Sequence, residues 1–122
     1  MKKRVLIVDD SEVVLAMARE ALEEGGFEVD TAEDAKEADA FIFSQQRPDL
    51  IVLDVMLPVL DGDKKAKMLK QNPATRDIPI LLLSSKPEEE LRWLVKESGA
   101  EGHMRKPFGH RQLVDRVVEA LG

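Results

Sequence analysis

The chain has 122 residues, 43% of them hydrophobic and 34% charged, with a formal net charge of −6 and no cysteine. That length and balance suit one globular domain, residues 1–122, rather than a disordered chain. Disulfides, zinc–thiolate sites and thiol catalysis are excluded, the acidity argues against direct nucleic-acid binding, and no apolar run approaches the roughly 20 residues that span a bilayer.

Met1, Lys2, Lys3 and Arg4 open the chain with basic character, but only a short apolar stretch follows before Asp9 and Asp10. That pattern is a strand over 4–8, not a signal peptide, and cytoplasm is the expected compartment. Residues 11–24 carry Val14, Met17, Ala18, Ala21 and Leu22 at helical period, and Gly25-Gly26 ends that helix. A second strand is predicted over 27–31. Asp34 with Glu37 three residues later is a capping box, opening a helix that runs to about residue 45. Pro48 interrupts the chain before a third strand, 49–54, apolar through its middle. Pro58 and Asp61-Gly62 mark a loop, and 64–70 reads as a short helix whose Lys64, Lys65, Lys67 and Lys70 form a solvated basic face. The fourth strand is 78–84. Pro87 suits the first turn of the helix that follows and ends at Gly99. A short strand, 101–105, and an amphipathic helix, 109–121, complete the chain.

Five repeats of strand then helix predict an α/β fold: a parallel sheet, right-handed crossovers and helices on both faces. The unbroken apolar third and fourth strands fit a sheet buried on both sides. Ligands in such folds sit beyond the carboxyl ends of the strands, where the winding reverses. With the common order 2-1-3-4-5, the crevice lies between the first and third strands. The residues arriving there are Asp9, Asp10, Asp54 and Ser84, with Lys106-Pro107 just past the fifth strand. Crowded carboxylates raise each other's pKa unless a cation intervenes, and Mg²⁺ binds well through one or two carboxylates and a phosphoryl oxygen. A carboxylate is also a covalent nucleophile toward phosphorus.

Four blocks, in order and spanning the whole chain, resemble the receiver domain of response regulators. They are VLIVDD at 5–10, DLIVLDVMLPVLDG at 49–62, the strand ending in Ser84-Ser85, and Gly99-Ala100 followed by Lys106-Pro107-Phe108. The resemblance implies a flavodoxin-like doubly wound five-stranded parallel sheet and a phosphorylation switch in a two-component phosphorelay. It implies Asp54 as phosphoacceptor, and Mg²⁺ held by Asp10, Asp54 and the backbone carbonyl of Met56, with Asp9 acting through a metal-bound water. Lys106 would pair with the phosphoryl group, its bond to Pro107 being cis. Ser84 would move toward the phosphoryl oxygen, letting the residue three before the lysine turn inward. The implied donor is a histidine kinase or phosphotransfer protein. The implied output surface is the face of the fourth helix, fifth strand and fifth helix, acting on a protein partner. Such a protein is not a conventional enzyme, although it supports its own phosphorylation and slow dephosphorylation. A monomer is expected, with dimerisation on activation open. No output domain follows the last helix, which suggests a single-domain regulator, with an excised piece of a longer protein as the alternative.

Two positions depart from the family pattern. His103 stands where Tyr or Phe is usual, which predicts a pH-sensitive output face. Met56, two past Asp54, cannot hold a hydrolytic water, which predicts a long-lived phosphoryl group. Taken singly, each site residue has an ordinary explanation: Asp9, Asp10 and Ser11 as helix caps, Asp54 as a turn residue, Lys106 as a solvated lysine. Their joint arrival at one sheet edge favours the functional reading. A non-phosphorylated interaction module keeps the fold but has no use for five competent site residues. A flavin protein would need N–H donors where Asp9, Asp10 and Glu12 stand, and an aspartate phosphatase needs an acid at the position of Met56.

Overall fold

In the computed structural model, which describes residues 2–122, strands and helices alternate throughout. The elements are β1 (Arg4–Val8), α1 (Glu12–Glu24), β2 (Glu28–Ala32), α2 (Ala35–Ile42), β3 (Leu50–Asp54), α3 (Gly62–Gln71), β4 (Ile80–Ser84), α4 (Glu88–Ser98), β5 (Gly102–Arg105) and α5 (His110–Leu121). The strands form one parallel sheet in the order β2-β1-β3-β4-β5. This is the flavodoxin-like, doubly wound architecture expected from the sequence.

The period of two along each strand divides the apolar residues between two cores. Leu6, Val8, Ile51, Leu53, Ile80 and Leu82 face α2, α3 and α4, meeting Ala38, Ile42, Ala66, Leu69, Leu91 and Leu94. Val5, Ile7, Leu50, Val52, Leu81 and Leu83 face α1 and α5, meeting Leu15, Ala18, Leu22, Leu113 and Val117. Both faces are therefore apolar in β3 and β4, and every residue of those two strands is buried. At about 1.5–3 kcal/mol per buried large aliphatic side chain, these two strands anchor the fold.

The sheet has two edges, and an arginine lies against each. Arg19 of α1 donates to the Val29 carbonyl of β2, and Arg116 of α5 donates to the His103 carbonyl of β5.

Several local expectations are corrected. The second helix stops at Ile42 rather than near residue 45, because Ser44 donates both its hydroxyl and its N–H to the Phe41 carbonyl and turns the chain. Pro87 precedes the fourth helix as its N-cap instead of occupying its first turn. The basic face of α3 is not uniformly solvated. Lys65 is buried against Asp39 of α2. Lys70 donates to the Arg76 and Ile78 carbonyls and to Glu101, tying the end of α3 to the segments that lead into β4 and β5. Trp93 is 59% exposed, since α4 turns Leu91, Leu94 and Ser98 inward.

Candidate functional site

Register brings the acids together. Val8 of β1 pairs with Leu53 of β3, so Asp9 and Asp54 are the next residues on adjacent strands. Asp54 pairs with Leu83, and Ser84 with Arg105, so Ser84 and Lys106 arrive at the same sheet edge. One carboxylate oxygen from each of Asp9, Asp10 and Asp54 lies within 4.8 Å of the other two.

Asp9 is fully buried and held by its backbone N–H to Ala32 of β2. Its Oδ1 accepts from the Ser11 N–H, while the Ser11 hydroxyl accepts from Val14 and caps α1. The helix cap is thus made by Ser11, which leaves the exposed Asp10 free for other work. Lys106 Nζ stands 2.7 Å from Asp9 Oδ2 and 3.4 Å from Asp54 Oδ2. Asp9 Oδ2 is close to that ammonium without a directed hydrogen bond, the one buried side-chain oxygen so left among the described residues. The Lys106–Pro107 peptide is cis.

Asp54 is 3% exposed, and its Oδ1 accepts from the Met56 N–H at 3.3 Å. Burial, and next the neighbouring Asp9, push its carboxyl from 3.8 to about 6, against the pull of Lys106 and the Met56 N–H. Burial works against the charge on Lys106, but its contacts with Asp9 and Asp54 outweigh that and raise its pKa. With all three acids ionised, three carboxylates face one ammonium. The two uncompensated negative charges match one divalent cation.

The residues fit such an ion chemically. All the side-chain donors are hard carboxylate oxygens, and one of them is buried without a directed partner.

Above the site, the β3–α3 loop is drawn tight. Val55 O accepts from both Leu57 N and Gly62 N. A Cβ on Gly62 would meet the Asp54 carbonyl oxygen at 1.8 Å, so only a hydrogen fits there. At the loop tip, Leu60 N bonds Pro58 O around Val59, a γ-turn whose φ of 68° is strained for a β-branched residue. Met56 is 60% exposed.

Ser84 is buried, and its Oγ accepts from Lys86 N at 3.0 Å, so its hydroxyl caps its own loop. His103 is apart from the acid cluster, on edge strand β5, where its Nε2 meets Glu88 Oε1 of α4 at 2.7 Å. Glu88, Lys65 and Asp39 were not singled out in the sequence as paired groups. Their partners are 15 to 26 residues away with no motif linking them.

Comparison with known proteins agrees with this geometry. The family model for the response regulator receiver domain matches residues 5–118. The alkaline phosphatase synthesis transcriptional regulatory protein PhoP of Bacillus subtilis is 44% identical over 121 residues, covering 99% of this chain and 49% of that protein. The phosphate regulon transcriptional regulatory protein PhoB of Pseudomonas aeruginosa is 42% identical over 119 residues, covering 98% and 52%. The chain spans about half the length of these regulators. Among solved structures, the chemotaxis response regulator CheY4 of Vibrio cholerae superposes with a TM-score of 0.90 at 32% identity, covering 98% of this chain and 99% of that one.

Proposed function

The chain belongs to the response regulator receiver domain family, and from that premise we propose that it is a phosphorylation-dependent switch of a two-component phosphorelay with Asp54 as its phosphoacceptor. The observation that carries this reading is the convergence of Asp9, Asp10, Asp54 and Lys106 at one sheet edge. Each element of the chemistry has a residue suited to it.

An Asp54 carboxylate oxygen attacks phosphorus in line, the bond from phosphorus to the donor's imidazole nitrogen breaks, and the imidazole leaves with its ring electrons restored. The product is an acyl phosphate on Asp54. Lys106 already stands 3.4 Å from the attacking carboxylate and supplies positive charge for the incoming oxygens. Asp10, Asp54 and the Met56 carbonyl would hold Mg²⁺, with Asp9 acting through a water; when bound, the ion neutralises charge on the phosphoryl oxygens. The Ser84 hydroxyl exchanges its contact with Lys86 N for a phosphoryl oxygen, and the β4–α4 loop moves with it. His103, on the adjacent strand, reports that movement to the face of α4, β5 and α5, where a protein partner is engaged.

The donor on this reading is a histidine kinase or phosphotransfer protein. Residues 1–122 act as one receiver domain, at work in the cytoplasm, and no described helix is long and apolar enough to cross a membrane. Where relatives are transcriptional regulators, the acidic surface of this chain argues that any nucleic-acid contact is made elsewhere. Intact mass after incubation with a small phosphodonor and Mg²⁺ tests the proposal. Wild type gains one phosphoryl group and Asp54→Asn gains none. An unmodified wild type leaves a protein-interaction module with the same fold.

A further inference from the structure

Glu88 reaches from the first turn of α4 to edge strand β5, and its Oε1 lies 2.7 Å from His103 Nε2. The His103 side chain is 19% exposed and the carboxylate 44%. The contact forms the lip of a cleft of about 340 Å³ completed by Met104, Arg105, Gln112 and Arg116. Charged groups face this pair from each element packed against it. On α4, Arg92 stands 3.6 Å from the same Glu88 oxygen. From the β4–α4 loop, Lys86 turns away toward Glu90 at 2.9 Å. On β5, Arg105 donates to the Lys86 carbonyl, and on α5, Arg116 donates to the His103 carbonyl and to Glu119. The hydrogen bond to His103 is the main reason that Glu88 is held below the usual carboxylate range.

The loop between Ser84 and Glu88 is therefore tied at both ends. At one end the Ser84 hydroxyl accepts from Lys86 N; at the other Glu88 grips the ring three residues before Lys106. We propose that Glu88 is a positioning residue of the switch: its carboxylate holds the His103 ring at the cleft, most firmly when the ring is protonated, so that acidification opposes the rearrangement following phosphorylation. The inference rests on the phosphoacceptor role proposed for Asp54. It follows from linkage: a contact made in the resting state and broken in the phosphorylated one weakens binding of the phosphoryl group by its own equilibrium factor.

Beryllium fluoride with Mg²⁺, which mimics a phosphoryl group on a carboxylate, is titrated into the protein by calorimetry. Wild type, Glu88→Gln and His103→Phe are compared at about pH 6 and about pH 8, the range in which histidine changes charge. The residues around Asp54 are the same in all three, so differences between the pH profiles isolate the pair. Wild-type affinity is expected to fall about threefold more than that of either variant on going to the lower pH, the size appropriate to a half-exposed ion pair. Identical pH profiles in all three proteins overturn the role of Glu88 and leave the proposed function standing. Absence of binding in all three at both pH values overturns both.

Discussion

Replacing Asp54 with asparagine in metal-free buffer removes a charge whose burial opposes folding. The carboxyl is pushed from 3.8 to about 6, by burial first and by Asp9 next, with the attraction of Lys106 already counted against that rise. A carboxyl whose pKa rises on folding destabilises the folded state once it ionises. Below 3.8 it is protonated in both states and the penalty is absent; the penalty grows as pH climbs toward about 6 and is complete above it. A shift of that size corresponds to about 3 kcal/mol, with little screening for a side chain 4% exposed. Asparagine matches the neutral acid in shape and carries no charge. Asp54→Asn is therefore expected to stabilise the protein by about 2–3 kcal/mol near pH 7–8, by about 1 kcal/mol near pH 4.5, and not at all near pH 3. Urea unfolding followed by circular dichroism in EDTA across that range measures the difference. A variant no more stable than wild type at neutral pH would refute the reasoning, as would a gain that does not fade on acidification. Added Mg²⁺ should then narrow the gap, since a ligand that prefers the intact acid cluster stabilises wild type by mass action.

Other positions give independent checks. Val59→Gly relieves the positive-φ turn, and urea midpoints should show a gain of about 1 kcal/mol, strain relief exceeding the added chain entropy of glycine. Asp39→Ala leaves the buried Lys65 ammonium without its partner and should cost about 1–2 kcal/mol by the same assay, whereas Lys65→Met, which removes the buried charge itself, should cost less. Met56→Asn puts a polar group where a water could be held beside Asp54, and the half-life of the phosphoryl group, followed by intact mass, should shorten severalfold on the scale of a positioned water.

The sheet was legible because its central strands leave no ambiguity. Leu50 to Leu53 and Ile80 to Leu83 are apolar on both faces, which only a doubly covered parallel strand explains. Strand ends were legible for the same reason: Asp9 and Asp54 stand directly where apolar runs stop, whereas Lys106 follows the mixed strand Gly102–Arg105 and stood out only through the family resemblance. Helix ends depended on side chains that compete for the backbone, and Ser44 ended α2 early without any glycine or proline to announce it. Long-range pairs were invisible. Lys65 looks like any lysine of an exposed face until α2 brings Asp39 against it. His103 stood out as a departure from the family pattern, but its carboxylate partner on α4 depends on a crossing of helix and strand that periodicity does not encode. The turn at Val59 was hidden because a valine is the last residue that backbone propensity would assign to positive φ.

The two arginines at the margins of the sheet bear on how the protein behaves at high concentration. An outermost strand offers unpaired carbonyls to any passing chain, and stacking of that kind leads to fibres. Arg19 and Arg116 each occupy one such carbonyl with a guanidinium, at opposite edges of the sheet. A stranger's backbone N–H would have to displace a cation to dock at either rim, which protects against aggregation without lengthening, twisting or burying the strands themselves.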